Sequence, residues 1–552
     1  MSEFSLGLDF GTSTTLVAEP GLEPRIFSIG KDAGNTWLPS VLATTDGESW
    51  LVGEDADKGS IANQFRSPKS AITMNESELQ NANGLTINAD SAIKKIIEEI
   101  IMRCKERGLN NFTEIRLSCP AMWTGEQRKR LVRLVNEAGL VSDIDQVIDE
   151  PISASISWWW SRFSQGLKIN EKKRAVIFDL GGGTLDVAVV DIYPRPGMPE
   201  MTILSARGIA IAGDTLDSEL AEYIIQRLRN EKSFDISAQK EQDVVAVAIR
   251  LAAREVKELL SSVSETTFEV DPRIAIVPSI KISRFELNDV FDQQMKLALN
   301  CVDAALREAR MKVGDNLSGP DIARIPSYLL GSEVDFVVLA GGMSQIKKVR
   351  DDLQELMPRA TVEFATGNSR TSTQSIVLGT ANINEFANLN IHRPNFNFVA
   401  IYKDRLGSTH REILYQAFTP LYSPDQVMRG DLLLGYFTDW KPKVEPISGT
   451  VVLALDTIGG RQVSLRITSK QNKIIDLPEL HADTRNGIKL KILANGRIQI
   501  RDRSGREYSY RVREWPHIRW TSANDSEKTA LKLEEEPKIE SESLHFDAWR
   551  NK

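Results

Sequence analysis

Three segments of the chain share one pattern, a continuous apolar run that ends in a turn of small residues. They are residues 4–15 (FSLGLDFGTSTT), 175–186 (AVIFDLGGGTLD) and 336–344 (FVVLAGGMS). Continuous apolar runs bounded by glycine are typical of strands buried on both faces, as in the sheets of α/β proteins. Apolar residues at helical spacing in residues 91–108 and 243–260 predict helices between these strands. This alternation of strands and helices predicts an α/β fold.

The pattern changes at about residue 398, where short and partly alternating apolar runs predict strands. The dipeptide Asn495-Gly496 predicts a type I′ hairpin turn, because both residues of that turn need a positive φ. From residue 522 the chain is polar and acidic, which predicts a disordered or exposed tail. Within this tail Leu544, Phe546 and Trp549 are candidates for a short docking motif, although a solvated tail is the simpler interpretation.

The length of 552 residues exceeds what a single core supports, so the chain is expected to form more than one domain. The changes of pattern predict an α/β domain of residues 1–385, a linker of residues 386–397, a β-rich domain of residues 398–521 and a tail of residues 522–552.

The net charge and the composition of the chain exclude some classes of binding partner. A formal net charge of −8 argues against a general binder of nucleic acid or of anionic membranes, because phosphate-rich partners select basic surfaces. The sequence has no basic, apolar leader and no apolar run of ~20 residues, so we expect a cytoplasmic protein. Its three cysteines are widely spaced, which predicts buried thiols rather than a disulfide framework or a metal site.

Two of the turns carry groups that suit a phosphate. Asp9 and Asp179 each end an apolar run and are followed by glycines, which let the backbone approach a ligand, and by hydroxyl groups that donate to oxygens. Carboxylates beside phosphates repel them unless a cation intervenes, so Asp9 and Asp179 predict Mg²⁺ held through water. One such turn is a weak signal, whereas two in the same order are a stronger one.

Other common nucleotide loops do not fit. The chain has no G-x-x-x-x-G-K-[ST] motif, and Leu-Asp-Val after GGGT continues as a strand, whereas a dinucleotide-binding loop leads into a helix.

Four motifs occur in order along the chain: DFGTSTT, DLGGGTLD, AGDTLD and LAGGMS. In these motifs the chain resembles the actin-like ATPase superfamily and, within it, the seventy-kilodalton heat-shock (DnaK-type) chaperone family. Further similar segments, WLPSVLA, VGEDADKG, IDEPISASISW, ELLSS and IVLGTAN, extend the resemblance over most of the first 385 residues. It implies an α/β actin-like ATPase fold of duplicated ribonuclease-H-like subdomains, followed by an all-β domain, with ATP or ADP and Mg²⁺ as cofactors.

The resemblance also implies roles for single residues. Lys69 occupies the place of the catalytic lysine and Glu150 that of the active-site glutamate, Asp179 would orient the attacking water, and Thr184 would contact the γ-phosphate. Asp9 and Asp179 match the carboxylates of the magnesium shell. The implied nucleotide-binding residues are Gly11, Thr12, Ser13, Thr14, Gly181, Gly182, Gly183, Asp186, Gly213, Asp214, Lys257, Ser261, Gly341 and Gly342.

The chain departs from the family pattern on the adenosine side. Arg254 stands where a glutamate is usual, Glu258 where an arginine is usual, Gln345 where an arginine stacks on the base, and Thr373 where an aspartate is usual. We therefore expect weaker adenosine binding than is typical of the family.

The segment IKLKILANGRIQIRDRSGREY resembles the last strands of the family's substrate-binding domain. The resemblance implies a slow ATPase that couples nucleotide state to binding of a polypeptide client or a dedicated partner protein, with a J-domain protein as a candidate co-chaperone. DLLLG at residues 431–435 resembles the family's interdomain linker, but we interpret it as a core strand. Too few residues follow the last predicted strand for the family's helical lid.

Two other functions stay open from the sequence: an actin-like scaffold or filament protein, and a small-molecule kinase of the same superfold. The run Trp158-Trp159-Trp160 is predicted to lie on a helix, where three consecutive residues cannot share one face, so at least one should point toward solvent or a partner.

Overall fold

The computed structural model describes most of the chain, in fifteen segments. They are residues 4–21, 23–32, 34–110, 112–144, 147–166, 170–194, 200–313, 319–382, 393–421, 435–460, 462–463, 465–468, 474–475, 479–514 and 531–535. The chain divides into two compact units, one of Met1–Leu306 with Ile325–Leu389 and one of Arg307–Arg324 with Asn390–Lys552.

Twelve α-helices form among the described residues. They are α1 (Glu54–Asp57), α2 (Lys69–Thr73), α3 (Ala89–Glu106), α4 (Gly125–Glu137), α5 (Glu150–Ser164), α6 (Gly213–Lys232), α7 (Gln242–Leu260), α8 (Arg284–Val313), α9 (Gly319–Ala323), α10 (Ser327–Gly331), α11 (Lys347–Leu356) and α12 (Ser375–Ala381). The helices predicted over residues 91–108 and 243–260 are confirmed as α3 and α7.

The strands of the first unit are β1 (Phe4–Phe10), β2 (Thr14–Glu19), β3 (Arg25–Phe27), β4 (Trp37–Pro39), β5 (Val41–Ala43), β6 (Leu51–Val52), β7 (Gln64–Arg66), β8 (Glu78–Gln80), β9 (Thr86–Asn88), β10 (Phe112–Cys119), β11 (Ile148–Asp149), β12 (Lys173–Leu180), β13 (Leu185–Tyr193), β14 (Glu200–Ile209), β15 (Glu265–Phe268), β16 (Ile280–Ser283), β17 (Phe336–Ala340) and β18 (Thr361–Phe364).

Two sheets of this unit have the same arrangement of strands. In the first, the order is β3-β2-β1-β10-β11, and in the second it is β14-β13-β12-β17-β18. In each sheet three neighbouring strands are antiparallel, and the next two join in parallel. Asp9 and Asp179 therefore lie near the ends of equivalent strands, β1 and β12, and each is followed by its glycine turn.

The apolar runs predicted as strands form buried strands because their side chains belong to the core. Leu6 and Leu8 of β1 share one buried cluster with Ile93, Ile96 and Ile97, which form the apolar stripe of α3. This packing explains why the helical spacing and the apolar runs could both be read from the sequence.

Helices α5 and α12 approach each other backbone to backbone. A methyl group at Gly379 of α12 would overlap the carbonyl oxygen of Ser153 on α5, and Ser153 Oγ lies 3.0 Å from Oγ1 of Thr380. At the end of α12, a methyl group at Gly7 of β1 would lie 2.6 Å from the backbone nitrogen of Ala381. These positions require glycine because main chain fills the space.

The tryptophan run lies on α5. Trp158 and Trp159 are buried, and Nε1 of Trp158 donates a hydrogen bond of 2.5 Å to Oε1 of Glu363. Trp160 is half-buried, so one of the three tryptophans reaches the surface, as predicted.

The strands of the second unit are β19 (Phe396–Lys403), β20 (Thr409–Tyr415), β21 (Gly435–Trp440), β22 (Thr450–Thr457), β23 (Gln462–Val463), β24 (Leu465–Thr468), β25 (Ile474–Ile475), β26 (Leu480–His481), β27 (Ile488–Leu493), β28 (Arg497–Arg501), β29 (Glu507–Glu514) and β30 (Leu531–Glu535). They form two sheets, β20-β19-β22-β23 with β26 on β22, and β21-β27-β28-β29-β30-β24-β25. Phe398, Leu453, Leu490 and Ile500 share the core of this unit.

Two details of the second unit differ from the sequence predictions. Strand β19 begins at Phe396, inside the predicted linker; residues 386–392 lie outside the described residues. Gly496 has a φ of 83°, but the φ of Asn495 is not positive, so the type I′ prediction is wrong. Gly496 N donates to Leu493 O at 3.0 Å, which is a type I turn followed by a left-handed glycine.

The tail prediction is wrong for residues 531–535. They form β30, which pairs antiparallel with β29 and parallel with β24. The sequence LKLEE alternates leucine with charged residues, which is a strand pattern. The pattern is too short to change the overall acidic composition of the tail. The docking motif of Leu544, Phe546 and Trp549, and residues 431–434 of the DLLLG segment, lie outside the described residues.

Two further predictions concern cysteines and membranes. The thiols of Cys104, Cys119 and Cys301 are all buried, as predicted. In the part of the chain that the structure describes, no helix has the length and apolarity needed to cross a bilayer.

Candidate functional site

The glycine turns of both sheets open into one cavity of about 400 Å³ in the first unit. Every residue of the predicted catalytic, nucleotide-binding and metal sets lines this cavity, except Asp186. The four positions that depart from the family pattern, Arg254, Glu258, Gln345 and Thr373, line it as well. A cavity of this volume falls within the range of small-molecule sites.

The first two turns contact each other at the edge of the cavity. A methyl group at Gly182 would lie 2.6 Å from Oγ of Ser13, and one at Gly183 would lie 2.6 Å from Oγ1 of Thr12. Glycine is therefore needed on one side because hydroxyl side chains occupy the other side. Ser40 supports the first turn from behind, where its Oγ donates to the carbonyl oxygen of Gly11 at 2.8 Å.

The third turn, at the start of α6, is bonded to the second. The backbone nitrogen of Gly213 donates to the carbonyl oxygen of Gly181 at 3.2 Å, and that of Asp214 donates to the carbonyl oxygen of Gly182 at 2.7 Å. These bonds fix the second and third glycine turns relative to each other.

The fourth turn, after β17, lies against the second. Gly341 has a φ of 76°, and a methyl group there would overlap the carbonyl oxygen of Leu180 and lie 2.6 Å from Oδ1 of Asp179. Both the backbone conformation and the space therefore require glycine.

Lys69 and Glu150 form a buried ion pair in the cavity. Lys69 begins α2, Glu150 begins α5, and Nζ of Lys69 also lies 5.9 Å from the centre of the Trp123 ring. Burial alone would lower the pKa of Lys69, but attraction to Glu150 and to Asp9 outweighs it and raises the pKa. Lys69 is therefore charged at neutral pH and held in one place.

The charges of the carboxyl groups around Lys69 are incompletely neutralised by nearby cations. Burial, followed by repulsion from Glu150, raises the pKa of Asp9 to about 7 despite the nearby charge of Lys69. Burial and repulsion from Glu150, Asp186 and Asp9 raise the pKa of Asp179 well above its usual value. One lysine thus faces four buried carboxyl groups.

Asp186, alone among the implied nucleotide-binding residues, does not line the cavity. Its Oδ1 accepts a hydrogen bond of 2.6 Å from the backbone nitrogen of Ala121, and its side chain is fully buried behind the turn. Burial and repulsion from Glu150 raise its pKa strongly.

The donor set fits a hydrated divalent cation. Oδ1 of Asp179 is buried and has no hydrogen-bond partner among the described residues. No three His, Cys, Asp or Glu side chains within those residues form a direct metal-binding cluster. Mg²⁺ characteristically keeps several waters and binds through one or two carboxylates plus phosphates, so Asp9 and Asp179 suit that ion.

The opposite wall of the cavity is one face of α7. Arg254, Lys257, Glu258 and Ser261 follow helical spacing and line the cavity together. Nζ of Lys257 lies 2.5 Å from Oδ1 of Asp217, and both are buried. Arg254 pairs with Glu258 at 3.1 Å between Nε and Oε1, so the two departures form an ion pair with each other.

Sequence reasoning missed several residues of the site. Asp217, Met343, Ile346 and Ile376 also line the cavity. Asp217 closes the AGDTLD motif and lies one helical turn after Gly213, which is a signal that the spacing could have given. The apolar residues carry no such signal.

A comparison with protein-family models adds an independent finding. The model described as Hsp70 protein matches residues 69–364, which is more than half of the chain. The match begins at Lys69 and extends beyond the fourth glycine turn at Gly341 and Gly342. The resemblance inferred from the motifs is thereby confirmed, and with it an actin-like ATPase fold for this region. This chain belongs to the Hsp70 family.

Proposed function

We propose that this protein binds ATP with Mg²⁺ in the cavity of the first unit, hydrolyses it slowly, and couples the nucleotide state to binding of a polypeptide. Hsp70 proteins are ATPases with chaperone-like functions, and they generally bind ATP or ADP with Mg²⁺ and polypeptide clients. The observation that carries the proposal is the meeting of four glycine turns, the Lys69–Glu150 pair and two strand-end carboxylates in one cavity.

The phosphates would bind in the cavity, along the surface that the first two turns form together. Backbone N–H groups of the glycine turns and the hydroxyls of Thr12 and Ser13 are donors for phosphate oxygens. Mg²⁺ held through water by Asp9 and Asp179 would neutralise charge on the phosphates.

Hydrolysis would be an in-line attack of water on the γ-phosphorus atom, in which the new P–O bond forms as the bond to the β–γ bridging oxygen breaks, so that ADP leaves and the protons of the water remain with the phosphate product or pass to solvent. Asp179 and Glu150 would accept hydrogen bonds from the water and orient it, and Thr184 would donate to a γ-phosphate oxygen. Lys69, which the raised pKa keeps charged, would stabilise the negative charge that develops on the transferred group. Removal of such a donor costs about 10²–10³ in rate in comparable sites.

Two loops of the second unit suit an apolar partner. Leu406, at the tip of the β19–β20 loop, is 92% exposed, and Ile447, in the β21–β22 loop, is 61% exposed. The loops are tied together: Ile447 N donates to Lys403 O at 2.8 Å, and Arg405 pairs with Glu445 at 2.8 Å. Exposed apolar residues on ordered loops support polypeptide binding there, by a client or a dedicated partner protein, and a J-domain protein is the candidate co-chaperone.

The test is ATP hydrolysis by the purified chain with and without Mg²⁺, beside Lys69→Ala, Thr184→Val and an unfolded peptide. Lys58→Ala is the matched control, because Lys58 is an exposed lysine outside the cavity. We expect turnover that needs Mg²⁺, that both site variants lower at least about a hundredfold, and that peptide increases.

Other outcomes separate the alternative functions. Nucleotide binding without turnover, with sedimentation of ATP-loaded protein, would replace the proposal by an actin-like scaffold. Turnover that rises with a small alcohol or acid and not with peptide would indicate a kinase. Failure of the wild-type protein to bind any nucleotide would refute the proposal outright.

A further inference from the structure

Ser67 has an unusual backbone conformation next to the catalytic lysine. It follows β7 and precedes Lys69 by two residues, and its φ is 54°. A positive φ is uncommon for serine and costs free energy, so such residues persist only where their surroundings hold them.

The side chain of Ser67 makes a hydrogen bond to a residue that lines the cavity. Its Oγ donates to Oδ2 of Asp214 at 2.7 Å, although the two residues are 147 positions apart in the chain. The backbone nitrogen of Asp214 in turn donates to the carbonyl oxygen of Gly182 at 2.7 Å. Ser67 is therefore connected through one residue to the second phosphate turn.

The main chain of Ser67 continues into the helix that carries the lysine. The carbonyl oxygen of Ser67 accepts from the backbone nitrogen of Ser70 at 2.9 Å, which forms the first turn before α2. The other end of α2 is held by Trp123, whose Nε1 donates to Oγ1 of Thr73 at 3.1 Å. The five-residue helix is thus fixed at both ends, and its Ser67 end is hydrogen-bonded to Asp214 of the third turn.

Two sets of contacts determine where Lys69 lies: those of its ammonium group and those of the start of α2. Glu150, the first residue of α5, and Trp123 fix the ammonium group. The Ser67–Asp214 hydrogen bond relates the start of α2 to the turn that follows β12. The strained φ at Ser67 aims its hydroxyl at Asp214.

We propose that Ser67 is a positioning residue for Lys69: its hydrogen bond to Asp214 sets the position of the lysine relative to the second phosphate turn. The inference rests on the proposed function, because it concerns how the lysine meets the γ-phosphate. It also gives Asp214 a role as the acceptor of this bond.

Two substitutions at Ser67 separate the hydrogen bond from the backbone strain. Ser67→Gly accepts the positive φ without cost but lacks the donor, whereas Ser67→Asn tolerates this conformation and keeps a donor. Asn75→Gly is the matched control: Asn75 has a φ of 59° just beyond the other end of α2, and it is exposed outside the cavity.

Steady-state hydrolysis and ADP calorimetry are then measured on the intact variants. We expect Ser67→Gly to lower kcat about tenfold, since small displacements of a catalytic group cost this much or more, and to change ADP affinity by less than about twofold. Ser67→Asn should recover most of kcat, and Asn75→Gly should match the wild type. A purely structural role would instead lower stability and ADP affinity together.

The outcomes distinguish this inference from the proposed function. Wild-type kcat in Ser67→Gly, or equal losses in Ser67→Gly and Ser67→Asn, would refute the positioning role while the ATPase stands. If the wild-type protein binds nucleotide without turnover, the ratio of ATP to ADP affinity becomes the measurement, and an unchanged ratio in Ser67→Gly refutes the role. A wild-type protein that binds no nucleotide refutes the proposed function itself.

Discussion

The shortage of positive charge in the cavity has a measurable cost in the nucleotide-free protein. Asp9 is 5% exposed, and burial with repulsion from Glu150 raises its pKa from 3.8 to about 7. This difference corresponds to about 4 kcal/mol of unfavourable free energy for the ionised carboxylate. We therefore predict that Asp9→Asn stabilises the nucleotide-free first unit, although it removes a carboxylate of the proposed magnesium shell.

The sign and the pH window follow from linkage. Between pH 3.8 and about 7 the folded protein keeps the proton on Asp9 while the unfolded chain has lost it, so stability falls as the pH rises. The cost is about 2 kcal/mol at pH 5 and nearly complete, about 4 kcal/mol, at pH 8. Asn still buries an amide and removes an attraction to Lys69, so we expect a net gain of about 1–3 kcal/mol at pH 8.

Hydrogen exchange of peptides from β1 and β12, measured across a urea series in EDTA, reports on the first unit alone. The gain should be smaller at pH 5 than at pH 8 by about 2 kcal/mol, and Mg²⁺ with ADP should reduce it because the cation neutralises Asp9 in the wild type. Asp351→Asn, on the exposed side of α11, is the control and should change stability by less than about 0.5 kcal/mol. Destabilisation at pH 8, or an equal gain at both pH values, would refute the reasoning.

Three further predictions follow from the site and from the tail. Gly341→Ala should abolish nucleotide binding, because the added methyl group overlaps main-chain atoms and the φ of 76° strains the alanine. Gly367→Ala is the control: its φ is 80° but the space around it is open, so it should cost only about 1–2 kcal/mol of stability and leave binding unchanged. Calorimetry should show that the wild-type protein binds ADP more weakly than micromolar, and sub-micromolar binding would contradict this expectation. The double substitution Glu258→Arg with Gln345→Arg should raise the affinity for ADP about tenfold, because it places cations beside the base. Deletion of residues 531–552 should lower the thermal stability of the second unit, since it leaves β24 and β29 without their shared partner, and an unchanged melting temperature would restore the disordered-tail interpretation.

The sequence allowed the prediction that the glycine turns lie close together, because their residues carry strong local signals. A buried strand, a terminal carboxylate and successive glycines occur together at Asp9 and at Asp179, and both turns reach the same cavity. Lys69 and Glu150 carry no such signal, since an isolated lysine or glutamate looks like a surface residue. Only the family resemblance placed them, and they form a buried pair.

Other features depend on contacts that no local pattern encodes. The direction of the Asp186 side chain follows from how β13 continues after the turn, and the bond between Ser67 and Asp214 joins residues 147 positions apart. The dipeptide Asn495-Gly496 indicates where the turn lies but not its type, because the same dipeptide occurs in both two-residue and three-residue hairpin loops. Strand β30 is not apparent from the composition of the tail, because its two leucines are few among the polar residues around them.

The backbone contact between α5 and α12 has a consequence for genetics. Glu150 is the first residue of α5, and α12 ends at Ala381, against the strand that carries Asp9. A methyl group at Gly379 would therefore displace α5, which carries Glu150, and one at Gly7 would displace β1, which carries Asp9. Neither methyl group would contact a ligand. A screen for loss of ATP turnover should recover alleles at these two glycines beside those in the cavity, and their phenotype would resemble that of an active-site defect.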